Sequence, residues 1–307
     1  MIKVRIITGF LGAGKTTFIN SILRSNPGCR YGIIENEFGK ENIDSKLLIK
    51  TESPVVEMTN GCICCSINED LYEALNYFYA RRNEIDELII EATGVADPAG
   101  IAEPFLINGN VKKAFSLASV VCLVDTEQIE DRLVDTKEAI SQITFSNIIL
   151  LNKVELVSES YKIEMMHKLQ GLNPLAKVFS LSKNENFTFP NANFTNDFRP
   201  IKVLQSDEQH SGIKSITVVI DKTFNIHELH FRFIQFMLFQ SKDLYRMKAL
   251  VYDESYDSYI IQSVGTRVSI DKVDIPDLST YASKFVFIGK NLKKEGFEKM
   301  LEKYVTN

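Results

Sequence analysis

The chain has 307 residues, with 40 acidic and 35 basic side chains and a net charge of −5. Hydrophobic residues make up 45% of it, enough for a substantial core, and the mild acidity excludes the basic excess of a nucleic-acid binder. No apolar run approaches the ~20 residues needed to span a bilayer, so neither a nucleic-acid nor a membrane partner is expected.

The N-terminal residues Met1–Ile7 read as a first strand running into a glycine turn and not as a signal peptide, which predicts a cytoplasmic protein. Val4–Thr8 is a short apolar run, and Thr16–Arg24 has helical spacing that Pro27-Gly28 stops. Tyr31–Glu35 and Val55–Met58 read as strands and Glu69–Arg82 as a helix. Glu87–Ile90, Ser119–Val124 and Ile148–Leu151 are further apolar runs, the later two preceded by helical stretches. Ser158–Leu172 reads as a helix and Val178–Leu181 as a last short strand. Strands that are apolar throughout and alternate with helices predict a mainly parallel sheet covered on both faces, an α/β domain over residues 1–184.

Lys183–Pro200 breaks the rhythm with five asparagines, four phenylalanines and two prolines, and residues 185–210 read as a linker. Residues 211–307 then follow a different order. Strands are expected at Ile213–Ile220, Tyr245–Val251, Tyr259–Val264 and Phe285–Ile288. Helices are expected at Ile226–Phe239 and Leu292–Tyr304. This is a smaller α+β domain with an antiparallel component. On the first of its helices Phe231, Ile234 and Leu238 are expected to form the apolar side. His227 and His230 lie at its edge, three apart, a spacing that could share a metal.

The strongest motif is Gly9-Phe10-Leu11-Gly12-Ala13-Gly14-Lys15-Thr16: two glycines separated by four residues, then Lys and Thr, between a strand and a helix. This is the P-loop pattern, in which glycines let backbone N–H groups turn toward phosphate oxygens and the helix adds its positive end. Lys15 is expected at the β- and γ-phosphates and the Thr16 hydroxyl at Mg²⁺. Glu91, at the tip of the strand Glu87–Ile90, is the candidate second carboxylate for that metal. Gly94 is placed for its N–H to approach the γ-phosphate, and Asp97-Pro98 begins a loop that could respond to it. Asn152-Lys153-Val154-Glu155 follows another strand, as Asn-Lys-x-Asp does in guanine sites. Glu155 keeps the charge with an added methylene, which predicts a GTP preference weaker than Asp would give.

Cys62, Cys64 and Cys65 crowd one turn, Gly61-Cys62-Ile63-Cys64-Cys65, and offer soft ligands to Zn²⁺ or a similar ion. Cys62 and Cys64 point to one side of an extended segment; Cys65 joins them only if the backbone kinks. Buried structural thiols or a redox dithiol are the alternatives. Cys29 and Cys122 read as ordinary thiols, and five cysteines in all do not form a disulfide framework.

These motifs, with Asn36-Glu37-Phe38-Gly39 and the C-terminal segments Gly212–Ser215, Tyr245–Lys248 and Phe285–Leu292, occur in the order seen in CobW-like GTPases. That family is related to the nickel-insertion GTPases of urease and hydrogenase. The resemblance covers nearly the whole chain. It implies a GTPase domain, a smaller α+β domain, and GTP hydrolysis coupled to delivery of zinc or cobalt to a client metalloprotein or metal-cofactor enzyme. By position it puts Gly9, Gly12, Ala13, Gly14, Lys15, Thr16, Thr17, Gly94, Asn152, Lys153 and Glu155 around GTP, and Thr16 and Glu91 at Mg²⁺. It puts Cys62, Cys64 and Cys65 on the transported metal, makes Glu37 a switch residue between the two sites, and counts Lys15, Glu37 and Glu91 as the catalytic residues. Glu155 departs from the usual Asp, Ala249 stands where a Gly often follows Arg-x-Lys, and the histidine-rich segment of many members is missing. A non-catalytic metal sensor switched by GTP and a small-molecule kinase on the same core are the competing functions. The sequence leaves the oligomeric state open.

Overall fold

Every residue of Ile2–Gly9 except Lys3 is buried, which leaves the strand no face to turn to water and puts it inside a sheet covered on both sides. The computed structural model describes residues 1–35, 55–58, 67–182, 187–190, 194, 198, 212–239, 242–274 and 281–306. They form two units, residues 1–169 with 176–194 and residues 170–175 with 195–307.

In the first unit the chain runs β1 (Ile2–Gly9), α1 (Lys15–Ser25), β2 (Tyr31–Glu35), β3 (Val55–Met58), α2 (Ile67–Ala80) and β4 (Glu87–Glu91). It continues through α3 (Pro98–Ile107), α4 (Gly109–Ala114), β5 (Phe115–Asp125), α5 (Ile129–Asp135), α6 (Lys137–Phe145), β6 (Ile148–Asn152), α7 (Glu159–Leu172) and β7 (Lys177–Ser180). The described strands form one sheet of seven in the order β3-β2-β4-β1-β5-β6-β7, and every pairing is parallel. β1 therefore sits at the centre, with β4 on one side and β5 on the other. The chain leaves β1 in one direction to build β2 and β3, then returns to build the other half. That reversal opens a crevice at the carboxyl ends of the strands, the usual place for a ligand in such sheets.

Ile7, Ile33, Ile89, Val121, Leu123, Ile148 and Leu150 face α1, whose Phe18, Ile19, Ile22 and Leu23 are buried on them. Arg5 is the exception in β1. Its guanidinium pairs with Glu87 on β4 at 2.9 Å, and Nη1 donates to Ser119 Oγ on β5 at 3.2 Å.

The segment read as a linker is partly packed. Phe187 and Phe189 meet Phe18 edge-on, with ring centroids 5.6 and 6.0 Å away, and the Arg5 guanidinium lies 4.0 Å from the centre of the Phe189 ring. Phe194 is buried against Phe145. Asparagine and proline mark the segment as irregular, yet its described phenylalanines find apolar surface.

The second unit holds β8 (Ile213–Ile220), α8 (Ile226–Phe239), β9 (Leu244–Tyr252), β10 (Ser258–Val264), β11 (Arg267–Val273), β12 (Ser283–Lys290) and α9 (Lys294–Leu301). Its described strands pair antiparallel in the order β11-β10-β9-β12-β8. β11 was not expected. The apolar side of α8 also differs from the sequence reading. Ile226, Leu229, Phe233 and Met237 are buried on the sheet, whereas Phe231 and Leu238 are 61% and 60% exposed. The helix is apolar on more than one face, so periodicity alone selects the wrong stripe. His227 is exposed, and the His230 ring nitrogen Nε2 lies 3.2 Å from Val268 O. Among the described residues no three His, Cys, Asp or Glu side chains gather as a metal site, and no helix is long and apolar enough to cross a membrane.

Candidate nucleotide site

Four neighbouring strands deliver the candidate residues to one edge of the first sheet. β4 ends at Glu91, β1 at Gly9, β5 at Asp125 and β6 at Asn152. Between β1 and α1 the backbone turns through Gly9, Gly12 and Gly14, whose φ angles are 140°, 80° and 94°. Gly14 has a second reason to be glycine: a Cβ there would stand 2.4 Å from Asn152 Nδ2. The turn closes with Ala13 N donating to Phe10 O at 3.1 Å, and α1 starts at once, with no side chain capping its first turn. No N-cap side chain competes with a ligand at this helix start, where the helix presents its positive end.

Lys15 is buried, and its Nζ donates to Gly9 O at 3.0 Å and Phe10 O at 3.3 Å, which holds the ammonium over the loop. One residue on, the Thr16 hydroxyl donates to Glu91 Oε1 at 3.0 Å. Thr17 is exposed. Thr16 and Glu91 thus bring two hard oxygen donors together. A hydroxyl and a carboxylate are the oxygen donors that a hard cation such as Mg²⁺ takes. Beside them the Thr93 hydroxyl is buried without a hydrogen-bond partner, a polar atom that a ligand could satisfy. The donor chemistry therefore fits a magnesium ion.

Gly94 follows and presses on the phosphate loop: a Cβ there would lie 2.7 Å from Leu11 N. Asp97 caps α3, accepting from Ala99 N at 3.0 Å, with Pro98 at the first helical position.

On the other side Asn152 Nδ2 donates to Ala13 O at 2.9 Å and ties β6 to the phosphate loop. Lys153 has φ 60° and pairs with Asp125 Oδ2 at 2.7 Å. Thr126 Oγ1 donates to Asn152 O at 2.7 Å, which fixes the strand end from behind. Glu155 is exposed on the short 3-10 turn Val154–Leu156.

Glu37, Cys62, Cys64 and Cys65 lie outside the described residues. The strand that leads toward the cysteines, β3, is parallel to the rest and so ends on the same edge of the sheet as Gly9 and Glu91. Cys122, in β5, is fully buried, and burial pushes its thiol up to about 12 despite Lys15 nearby; it is inert.

Four contributors were not foreseen. Asp125 is a carboxylate at a strand tip, a signal that was there to be used. Arg132 stacks over Phe10, 4.2 Å from the ring centre, and Gln142 and Ser141 reach the Gly94–Asp97 loop from α6. Nothing in the local pattern marks those three.

The chain resembles known proteins along nearly its whole length. Residues 3–180 match the family described as CobW/HypB/UreG, nucleotide-binding domain, and residues 213–305 match the cobalamin synthesis protein cobW C-terminal domain. The zinc chaperone YjiA of Escherichia coli is 31% identical over 310 residues, covering 96% of both chains. A zinc-regulated GTPase metalloprotein activator 1 of Dictyostelium discoideum is 37% identical over 216 residues, 58% of this chain and 45% of its own. A crystal structure of the Zn(II)-bound YjiA GTPase from E. coli superposes with a TM-score of 0.71 at 26% identity, over 99% of this chain and 98% of that one. A P-loop domain with a CobW nucleotide-binding sequence, followed by a CobW C-terminal domain, makes this chain a member of the CobW family of P-loop GTPase-type proteins.

Proposed function

We propose that the protein is a GTP-hydrolysing metallochaperone that takes a transition metal, zinc or cobalt, at the Cys62–Cys64 thiols, with Cys65 as a further donor, and passes it to a client metalloprotein. The observation that carries the nucleotide half is the Thr16–Glu91 contact under the phosphate loop, with Lys15 above it and Asn152 bracing it. The thiol motif and the zinc chaperones among the relatives support the metal half.

In this reading the loop N–H groups and Lys15 hold the β- and γ-phosphates. Lys15 exchanges its two carbonyl partners for phosphate oxygens and neutralises charge as it builds on the leaving β-phosphate oxygen. Thr16 and Glu91 would hold Mg²⁺, which would supply charge neutralisation at the phosphate oxygens. Water attacks the γ-phosphorus, the bond to the β–γ bridging oxygen breaks, and GDP and phosphate leave. Asn152 orients guanine, Lys153 packs beside it, and Glu155 accepts from its N1–H edge. Glu37 and the thiol loop follow strands that run to the same sheet edge, so the γ-phosphate can bias both.

Zinc affinity measured with a non-hydrolysable GTP analogue and with GDP tests the coupling. The analogue should tighten zinc by ~5–150-fold, and by reciprocity zinc should tighten the analogue by the same factor. Cys62→Ser/Cys64→Ser should remove the effect and leave GTP binding near normal. Lys15→Ala should abolish tight nucleotide binding with the fold intact. Equal zinc affinity in both nucleotide states would reduce the cysteines to a fixed structural site.

A further inference from the structure

Gln142 lies in α6 and is 1% exposed. A buried amide must find acceptors for its hydrogens, and this one finds them in the loop after β4. Nε2 donates to Gly94 O at 3.1 Å and to Ala96 O at 3.3 Å. One residue earlier, Ser141 Oγ donates to Asp97 Oδ1 at 2.7 Å, the same carboxylate oxygen that caps α3. One turn of α6 therefore grips the loop at three points within four residues.

The gripped loop touches the phosphate loop directly. Gly94 packs so closely on Leu11 that no side chain fits between them. A small cavity lined by Phe10, Leu11, Ile129, Arg132, Gln142 and Ile143 separates α5 and α6 from the loop tip. Val95, between the two gripped carbonyls, is 51% exposed. The loop's position thus depends on α6 and not on a core of its own.

We propose that Gln142 and Ser141 are positioning residues that hold the Gly94–Asp97 loop ready for the terminal phosphate of a nucleoside triphosphate. The proposal rests on the nucleotide reading above and adds to it a structural element, α6, that sets the difference between triphosphate and diphosphate. With the grip in place the Gly94 N–H is already ordered when the triphosphate arrives. Without it the cost of ordering the loop falls on triphosphate binding alone, since a diphosphate has no γ-oxygen for Gly94 to meet.

Gln142→Leu keeps the bulk and removes both donors. The assay uses the full chain with Mg²⁺ and measures affinity for a non-hydrolysable GTP analogue and for GDP, steady-state GTP turnover, and the melting temperature. Analogue affinity should fall at least about fivefold, the effect of losing about one net hydrogen bond, with GDP affinity unchanged within about twofold. Turnover should show a lower kcat and a higher KM. Ser141→Ala should shift the analogue-to-GDP ratio the same way by less. A merely structural role would lower the melting temperature and weaken both nucleotides alike, and that outcome overturns the proposal. So does an unchanged ratio in Gln142→Leu, or in Ser141→Ala should Gln142→Leu fail to fold, while the wild type binds normally. If the wild type binds neither nucleotide, or Lys15→Ala binds as tightly as the wild type, the nucleotide reading itself has failed.

Discussion

Replacing Asn152 by alanine should weaken every nucleotide, and guanine nucleotides most. The Asn152 amide carries two hydrogens. One is committed to Ala13 O at 2.9 Å, so the side chain is a strut that sets the shape of the phosphate loop. Losing one neutral hydrogen bond of this kind costs about 1 kcal/mol, or roughly fivefold in affinity, and that loss applies to GTP and ATP equally. The other hydrogen suits the O6 acceptor of guanine, where adenine presents an amine donor. Losing that bond adds a similar amount for GTP alone, for a total of about 2 kcal/mol, or roughly 30-fold. Competition titrations of both nucleotides against one fluorescent reporter, with the wild type alongside, give the two factors. Equal losses for GTP and ATP would refute the guanine role and leave only the strut. A loss for GTP with ATP untouched would refute the strut. No loss for either would show that the nucleotide does not reach β6.

Two further outcomes concern stability. Arg5→Ala should destabilise the fold by about 3–5 kcal/mol in denaturant titration, because it strands Glu87, whose side chain is only 15% exposed, without its partner; Arg5→Met/Glu87→Leu together should cost less than Arg5→Ala alone. Cys122 gives a pH signature. Its thiol is held near 12 in the folded chain against an ordinary value of 9.0, so above pH 9 the unfolded state loses a proton that the folded state keeps, and stability falls as pH rises. Between pH 9 and 11 the wild type should lose up to about 1.4 kcal/mol per pH unit more than Cys122→Val, and parallel curves for the two would sink the assignment.

The bounds of β2, β3, β8 and α8 read from the sequence coincide with those observed, because each is a compact apolar or periodic run with polar or turn residues at its ends. The phosphate loop was legible for a different reason: its glycines are required by backbone geometry, and geometry of that kind leaves a fixed spacing. The helical stretch read before Ser119–Val124 had no legible bounds, since in α3 Pro98, Ala99, Ile101, Ala102, Pro104, Phe105 and Leu106 are all buried, and a helix covered on every side shows no period. β11 hid behind the charges of Arg267, Asp271 and Lys272, which suit an edge strand and resemble a loop. Gln142 acts through a carbonyl 48 residues away, and only the folded chain brings the two together. The stripe of α8 differs because four phenylalanines and four aliphatics compete for one buried face, and the sheet opposite decides among them.

The phenylalanines beyond β7 bear on where the nucleotide domain can be cut free. The family match to that domain stops at residue 180, yet Phe187, Phe189 and Phe194 are seated on its own α1, Arg5 and Phe145. A piece ending at residue 180 would uncover one side of Phe18 on the helix that carries Lys15 and Thr16. It would also leave the Arg5–Glu87 pair open to water. Such an excised domain should bind nucleotide less tightly and aggregate more readily than one ending after Phe194, and those losses would come from the missing aromatic strap and not from any missing domain.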